Sequence, residues 1–372
     1  MRQPSSPLLQ SPLQLLAGFL LGVFALSSTL TAAPPPPSPA KPTQPPPPNP
    51  PPPNPPTPSN SSRSSNPSTP LSTASKNHPP GPSPSTLVIR QDLPYADSQN
   101  PRQTLDLYLP SPQPSSPSAP PLPVVVFIHG GGWKAGNKAA GAAHLTRLVQ
   151  SGQYAGISLA YRLSSEAKWP AQLHDCKAAI RWIKAHASEY GLDPQKIAVW
   201  GSSAGGHLAS LLGTSGDVPE LEGSLGPHLS QNSRIQAVLN FYGPQNFLSL
   251  VSQESSVNRS TKDYPEALLL GGRIQDLPEL AKAASPITYA SAGDPPFLSA
   301  QGTNDPLVPP AQAREIHSAL LKVGVESYLI EMTDAGHGFR SPELDTRIDR
   351  FLAKHLLGKA TEIAATAIAK GQ

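Results

Sequence analysis

Cysteine is almost absent. Cys176 stands alone in 372 residues, so no disulfide can form within one chain. Leu173, Ile180 and Ile183 recur around it at helical spacing, which predicts a small core residue rather than a reactive thiol. Net charge is small, +3, and no basic cluster carries interleaved aromatics, so a nucleic-acid partner has no support. The histidines are scattered without helical or Cys/His ligand spacing, which leaves no metal and no cofactor to assign. The apolar run Leu15–Leu26 is too short for a comfortable membrane span. Arg2 precedes it, Thr31-Ala32-Ala33 follows, and no cysteine comes directly after it to take a lipid. Residues 1–33 therefore read as a signal peptide cut after Ala33, an uncleaved membrane anchor being the alternative. A cleaved leader predicts a secreted or periplasmic, cell-envelope location.

Proline is what the chain has in excess. Of 49 prolines nearly half lie between Pro34 and Pro84, a stretch without any acidic residue. Residues 34–86 cannot bury enough apolar surface to offset the entropy of ordering, and read as a disordered or polyproline-like linker. A passive spacer is expected, with a proline-recognising partner as the alternative. Residues 87–358 are enough for one sizeable domain. No structure is assigned to the tail, 359–372.

Within that domain the first strand signals are Leu87–Arg90 and Thr104–Leu109. The second alternates apolar and polar residues and predicts an antiparallel edge strand with one wet face. A second proline-rich stretch, Pro110–Pro123, reads as a surface loop. Val124–Ile128 is continuously apolar, as a parallel strand covered on both faces would be. Helices are predicted near Ala139–Gln150 and from Pro170 toward Tyr190, with strands at Ala155–Tyr161, Ile197–Trp200 and Ile235–Phe241. Pro244–Pro286 breaks the rhythm and predicts a small cap insertion over the carboxyl ends of the strands. It lacks a long amphipathic lid, which argues against action at a lipid interface. A strand at Phe297–Ala300, a helix after Pro309-Pro310, a strand at Ser327–Ile330 and a helix through Leu344, Ile348, Phe351 and Leu352 complete the pattern. The order predicts an α/β fold: a mostly parallel central sheet flanked by helices.

Gly201-Ser202-Ser203-Ala204-Gly205 stands between strand and helix. A serine at so tight a turn is strained and exposed, and the Ala204 N–H at the helix start faces any oxyanion formed beside it. The pentapeptide alone is weak; its bland reading is a glycine-rich turn with an idle serine. Upstream, His129-Gly130-Gly131-Gly132-Trp133 directly follows a strand, and glycines there let backbone amides approach a ligand oxygen. A dinucleotide reading fails because no acidic residue ends the next strand near Ala160. A P-loop reading fails because Asn137 stands where lysine is needed.

A serine nucleophile needs a base, and the base needs an acid. Asp305 lies just past the Phe297–Ala300 strand and His337 just past Ser327–Ile330, so both join Ser203 at one sheet edge. Asp334 shares the loop of His337 and cannot easily reach the far side of its ring. Asp294 precedes its strand and falls at the wrong end. His207 and His317 lie on helices and read as packing or surface residues.

His129–Trp133, Tyr161-Arg162-Leu163, Gly201–His207, Gly302–Pro309 and Gly336–Phe339 follow one another in order. Together they resemble the α/β-hydrolase esterases of the bifunctional acetylxylan/feruloyl esterase group, related to the hormone-sensitive-lipase-like esterases. The resemblance covers about Leu87 to Leu357 and implies the α/β-hydrolase fold. It implies an oxyanion hole of Gly131, Gly132 and Ala204 amides. It also implies a serine esterase acting through Ser203, His337 and Asp305 on short-chain esters, acetyl or feruloyl groups of polysaccharides among them. Ser202 stands where many hormone-sensitive-lipase-like enzymes have an acidic residue, which favours the carbohydrate-esterase branch. Gln301 stands where members often have histidine, and is expected to affect packing rather than chemistry. Trp133 has two readings, a wall of the substrate pocket or a packing residue beneath the loop. The alternatives in function are a peptidase or formamidase-like amidase of the same fold and a non-catalytic binding module.

Overall fold

The computed structural model describes residues 86–111 and 120–369. The signal peptide expected at 1–33, the linker expected at 34–86 except its last residue, and the middle of the Pro110–Pro123 loop lie outside them. The chain opens with β1 (Thr86–Pro94), β2 (Thr104–Ser111) and β3 (Leu122–Ile128), then α1 (Ala142–Gln150) and β4 (Ala155–Leu159). α2 (Ala171–Ala185), α3 (Ala187–Tyr190), β5 (Leu192–Ser202), α4 (Ala204–Thr214) and β6 (Ala237–Phe241) follow. The insertion folds into α5 (Phe247–Leu250), α6 (Pro265–Leu270) and α7 (Pro278–Ala283). β7 (Phe297–Gly302), α8 (Ala311–Lys322), β8 (Ser327–Met332) and α9 (Pro342–Leu357) close it.

The eight strands form one sheet in the order β1-β2-β4-β3-β5-β6-β7-β8, antiparallel from β1 to β4 and parallel from β4 to β8. Period-two alternation sends Val124, Val126 and Ile128 of β3 into one core with α2, α4 and α8. Val125 and Phe127 enter a second core with α1 and α9 on the opposite face. Such wholly buried side chains each contribute about 1.5–3 kcal/mol. Burial on both faces explains why the β3 sequence reads as a continuous apolar run.

Two expectations are corrected, and one unassigned segment gains a structure. β2 is not the wet-faced edge: it lies between β1 and β4 with nearly every residue buried, and β1 takes the edge. Its polar position Asp106 is tolerated because Lys138 Nζ lies 2.6 Å away and the Asp92 N–H donates at 3.0 Å. The long helix expected to run toward Tyr190 ends at Ala185, and a separate short helix resumes after His186, whose ring nitrogen lies 2.9 Å from the Trp182 carbonyl oxygen. The tail, left without structure at the sequence level, packs on the domain: Ile363 and Ile368 are buried, and Ile368 bridges in parallel to Met332. The Arg347 guanidinium donates to the carbonyls of Ala364 and Thr366 and pins the segment.

Candidate active site

β5 delivers the chain into Ser203, and α4 leaves it at Ala204. Ser203 sits at φ +54° and ψ −121°, a conformation that costs a non-glycine residue about 1–3 kcal/mol. The surroundings over-determine it. The Ser203 N–H donates to the Phe241 carbonyl at 2.8 Å, and its own carbonyl accepts from the His207 N–H at 3.0 Å. A Cβ on Gly201 would collide with the Gly205 carbonyl, and one on Gly205 with the Ile128 carbonyl. The turn therefore admits only glycine at both positions.

Three loops at the carboxyl edge of the sheet bring Ser203, His337 and Asp305 together. His337 Nε2 lies 2.9 Å from Ser203 Oγ, and His337 Nδ1 lies 2.8 Å from Asp305 Oδ2. The carboxylate can only accept, so Nδ1 carries the ring proton and Nε2 is left to accept from the serine hydroxyl. Asp305 Oδ1 accepts from the backbone N–H groups of Leu307 at 2.9 Å and Val308 at 3.0 Å. The competing groups stay away. Asp334 is exposed and accepts from Asn304, Asp294 bonds to Ser291, and His207 Nε2 meets the Ala284 carbonyl at 2.7 Å. His317 lies beside Ser327 on the outer helix α8.

The glycine loop faces the same point. Gly131, Gly132 and Trp133 take φ values of +112°, +58° and +54° in succession, which turns their amides outward. Paired bonds from the N–H groups of Lys134 and Ala135 to the Gly131 carbonyl hold the turn, at 3.1 and 3.0 Å. Beneath it the His129 ring stacks on Tyr161 at 4.3 Å, and the Tyr161 hydroxyl donates to the His129 carbonyl at 3.0 Å. Burial pushes His129 down to about 4, so its ring is neutral at physiological pH. Among the described residues the N–H groups of Gly131, Gly132 and Ala204 meet no backbone acceptor. All three residues border a cavity of about 440 Å³ that also receives Ser203 and His337.

Trp133 is a packing residue that also borders the cavity. Its ring is buried, edge-on to His207 at 5.0 Å and Phe247 at 5.8 Å, and the residue still borders the cavity. Gln301, expected to affect packing, donates from its side-chain amide directly to Asp305 Oδ2 at 3.0 Å. Sequence reasoning missed Tyr242, whose ring meets His337 edge-on at 4.7 Å and whose phenol is raised by burial. Its position immediately after β6, at the carboxyl edge, was the available signal. The pair Arg259–Glu266, 3.1 Å apart and almost wholly buried, also borders the cavity. Nothing in the irregular insertion marks those two residues beforehand. Among the described residues no group of three or more His, Cys, Asp or Glu could hold a metal ion.

A serine at a strand-to-helix elbow under a mostly parallel sheet, with an acid and a histidine on the following loops, defines the α/β-hydrolase class. Residues 105–320 match the BD-FAE family model, and the chain belongs to that family. Esterase LipC of Mycobacterium tuberculosis is 34% identical over 255 residues, covering 68% of this chain and 60% of LipC. A truncated carbohydrate esterase from gut microbiota superposes with a TM-score of 0.67 at 29% identity, over 75% of this chain and 99% of that one. A bifunctional GH43-CE protein of Bacteroides eggerthii gives 0.65 at 35% identity, over 72% of this chain and 35% of that one. The chain thus spans about three-fifths of the length of the curated relative LipC.

Proposed function

We propose that this protein is a serine hydrolase of carboxylic esters with short acyl chains, its natural substrates being acetyl or feruloyl esters of polysaccharide. The observation that carries the reading is the hydrogen-bonded series Ser203, His337, Asp305 opening onto a cavity bordered by outward-turned amides. His337 takes the Ser203 proton as Oγ attacks the ester carbonyl. The amides of Gly131, Gly132 and Ala204 hold the charge that develops on its oxygen. His337 then protonates the departing alcohol, and water repeats the sequence on the acyl-enzyme. Asp305 keeps the imidazole in the required tautomer and stabilises its protonated form. The cavity walls are largely apolar, with Pro244, Val257, Leu307 and Val308 among them, and suit a small acyl group or an aromatic ring. Trp133 contributes to that wall.

The leader read at residues 1–33 would export the enzyme, and the proline-rich stretch would hold it off the envelope surface. The test has two parts. A fluorophosphonate should modify Ser203 stoichiometrically, and p-nitrophenyl acetate should be hydrolysed with at least a roughly 10⁴-fold loss in Ser203→Ala. Methyl ferulate and acetylated xylan then rank the acyl groups. An unmodified serine together with an active Ser203→Ala variant would sink the reading.

A further inference from the structure

We propose that Gln301 is a positioning residue for proton transfer: its side-chain amide fixes the Asp305 carboxylate so that Oδ2 presents a lone pair to His337. The inference rests on the reading of Ser203, His337 and Asp305 given above and adds a fourth side chain to it.

Gln301 lies on β7, four residues before Asp305, and is buried. Its amide nitrogen stands 3.0 Å from Asp305 Oδ2, 3.2 Å from the Val308 carbonyl and 3.4 Å from the Gly302 carbonyl. All three neighbours are acceptors. The opposite amide orientation would set Oε1 against a carboxylate and two carbonyls, so the environment alone fixes which end is NH₂. The carboxylate is then held at every lone-pair direction. Oδ1 accepts from the Leu307 and Val308 N–H groups, and Oδ2 accepts from His337 and Gln301.

The amide is not there simply to fill space. Its Oε1 is buried and finds no partner among the described residues, which ordinarily costs about 1–3 kcal/mol. An apolar side chain of the same length would pack there without that cost. What only a donor can supply is a second hydrogen bond to the oxygen that His337 uses. That bond has two effects. It stops the carboxylate from rotating about its terminal torsion, and it draws charge from Oδ2, which moderates how strongly Asp305 stabilises the protonated imidazole.

Gln301→Met is the informative variant, being linear and of matching length but without a donor. In the full-length protein it should fold. It should lower kcat on p-nitrophenyl acetate by about tenfold, a fraction of the ~10²–10⁴ that general base catalysis contributes, with KM little changed. The acid limb of its kcat/KM profile should move up by about half a pH unit, because Oδ2 then stabilises the imidazolium more strongly. Gln301→His, which restores an N–H donor, should recover most of kcat. Gln301→Leu serves as a second donor-free variant, and phosphonylation rates of Ser203 in the folded fraction read out nucleophile activation independently of yield. A folded Gln301→Met with wild-type kcat and pH profile, whatever its melting temperature, would overturn the proposal. So would a folded Gln301→His as impaired as Gln301→Met. Ser203→Ala separates the two levels. If that variant is inactive while Gln301→Met is unaffected, only the role of Gln301 falls. If it stays active, the underlying reading falls and takes this one with it.

Discussion

His337 Nε2 and Ser203 Oγ meet at 2.9 Å although they lie 134 positions apart in the chain, and the serine in that contact is held in a left-handed backbone conformation. Backbone strain and the proposed nucleophile therefore reside in one residue. Ser203→Gly removes the hydroxyl and relaxes φ +54° at the same time. Hydrolysis of p-nitrophenyl acetate should fall by about 10⁴-fold or more. The melting temperature should not fall, and should rise by roughly 2–4 °C for each kcal/mol by which relief of about 1–3 kcal/mol of strain exceeds the ~1 kcal/mol entropic cost of glycine. A variant that loses activity and also melts earlier would show that the elbow stores no strain.

The glycine loop makes a different demand. At φ +112°, a Cβ on Gly131 would run into the carbonyl of Ala135, the residue whose N–H closes the turn on the Gly131 carbonyl. Gly131→Ala should rotate the outward amide away from Ser203. Losing one oxyanion donor typically costs about 10²–10³ in kcat, with little change in KM. Steady-state kinetics separate this from damage to the pocket, which would raise KM instead.

Arg259 and Glu266 test the pocket wall. Both are almost wholly buried, so removing one partner leaves an uncompensated charge. Glu266→Leu alone should destabilise by about 3–5 kcal/mol, whereas Arg259→Met/Glu266→Leu should recover most of that loss. Chemical denaturation of the two single variants and the double variant measures the coupling directly. Additive losses would mean that the pair does not act as a unit.

These relationships were unequally legible in the sequence. β3 could be read because burial on both faces leaves a continuous apolar run, and Ser203, Asp305 and His337 because each directly follows such a strand or sits at a glycine-marked turn. β2 misled because alternation reports chemical type and not coverage. Lys138 satisfies Asp106, and the polar face is covered anyway. The tail carried no period, since its order comes from Arg347 on α9 and the edge of β8 rather than from its own composition. The contact of Gln301 with Asp305 was not legible for a related reason. A glutamine in a strand looks like packing until the loop beyond it folds back and sets Asp305 against its amide. Side-chain partners made by folding back are tertiary facts, and a linear pattern does not record them.

The last prediction concerns acid. Burial pushes His207 down to about 4, against which its bond to the Ala284 carbonyl acts only weakly, and no charged group adds to the shift. Its ring is stacked on Phe247 and lies edge-on to Trp133, which ends the glycine loop. The unfolded chain protonates this histidine near pH 6.5 and the folded chain only near pH 4, so between those values the unfolded state binds more protons. Stability is therefore complete above about pH 6.5, falls as the pH drops, and by pH 4 has lost about 3 kcal/mol through this residue. His129 beneath the glycine loop is lowered to about 4 by burial in the same way and should steepen the loss. Denaturation midpoints from pH 7 to 4 should decline in the wild type. His207→Phe keeps the stacked ring without the titrating group, and should show a flatter decline from a lower starting stability because the Ala284 carbonyl loses its partner. Parallel slopes in the two proteins would mean that His207 is not what makes the fold acid-sensitive.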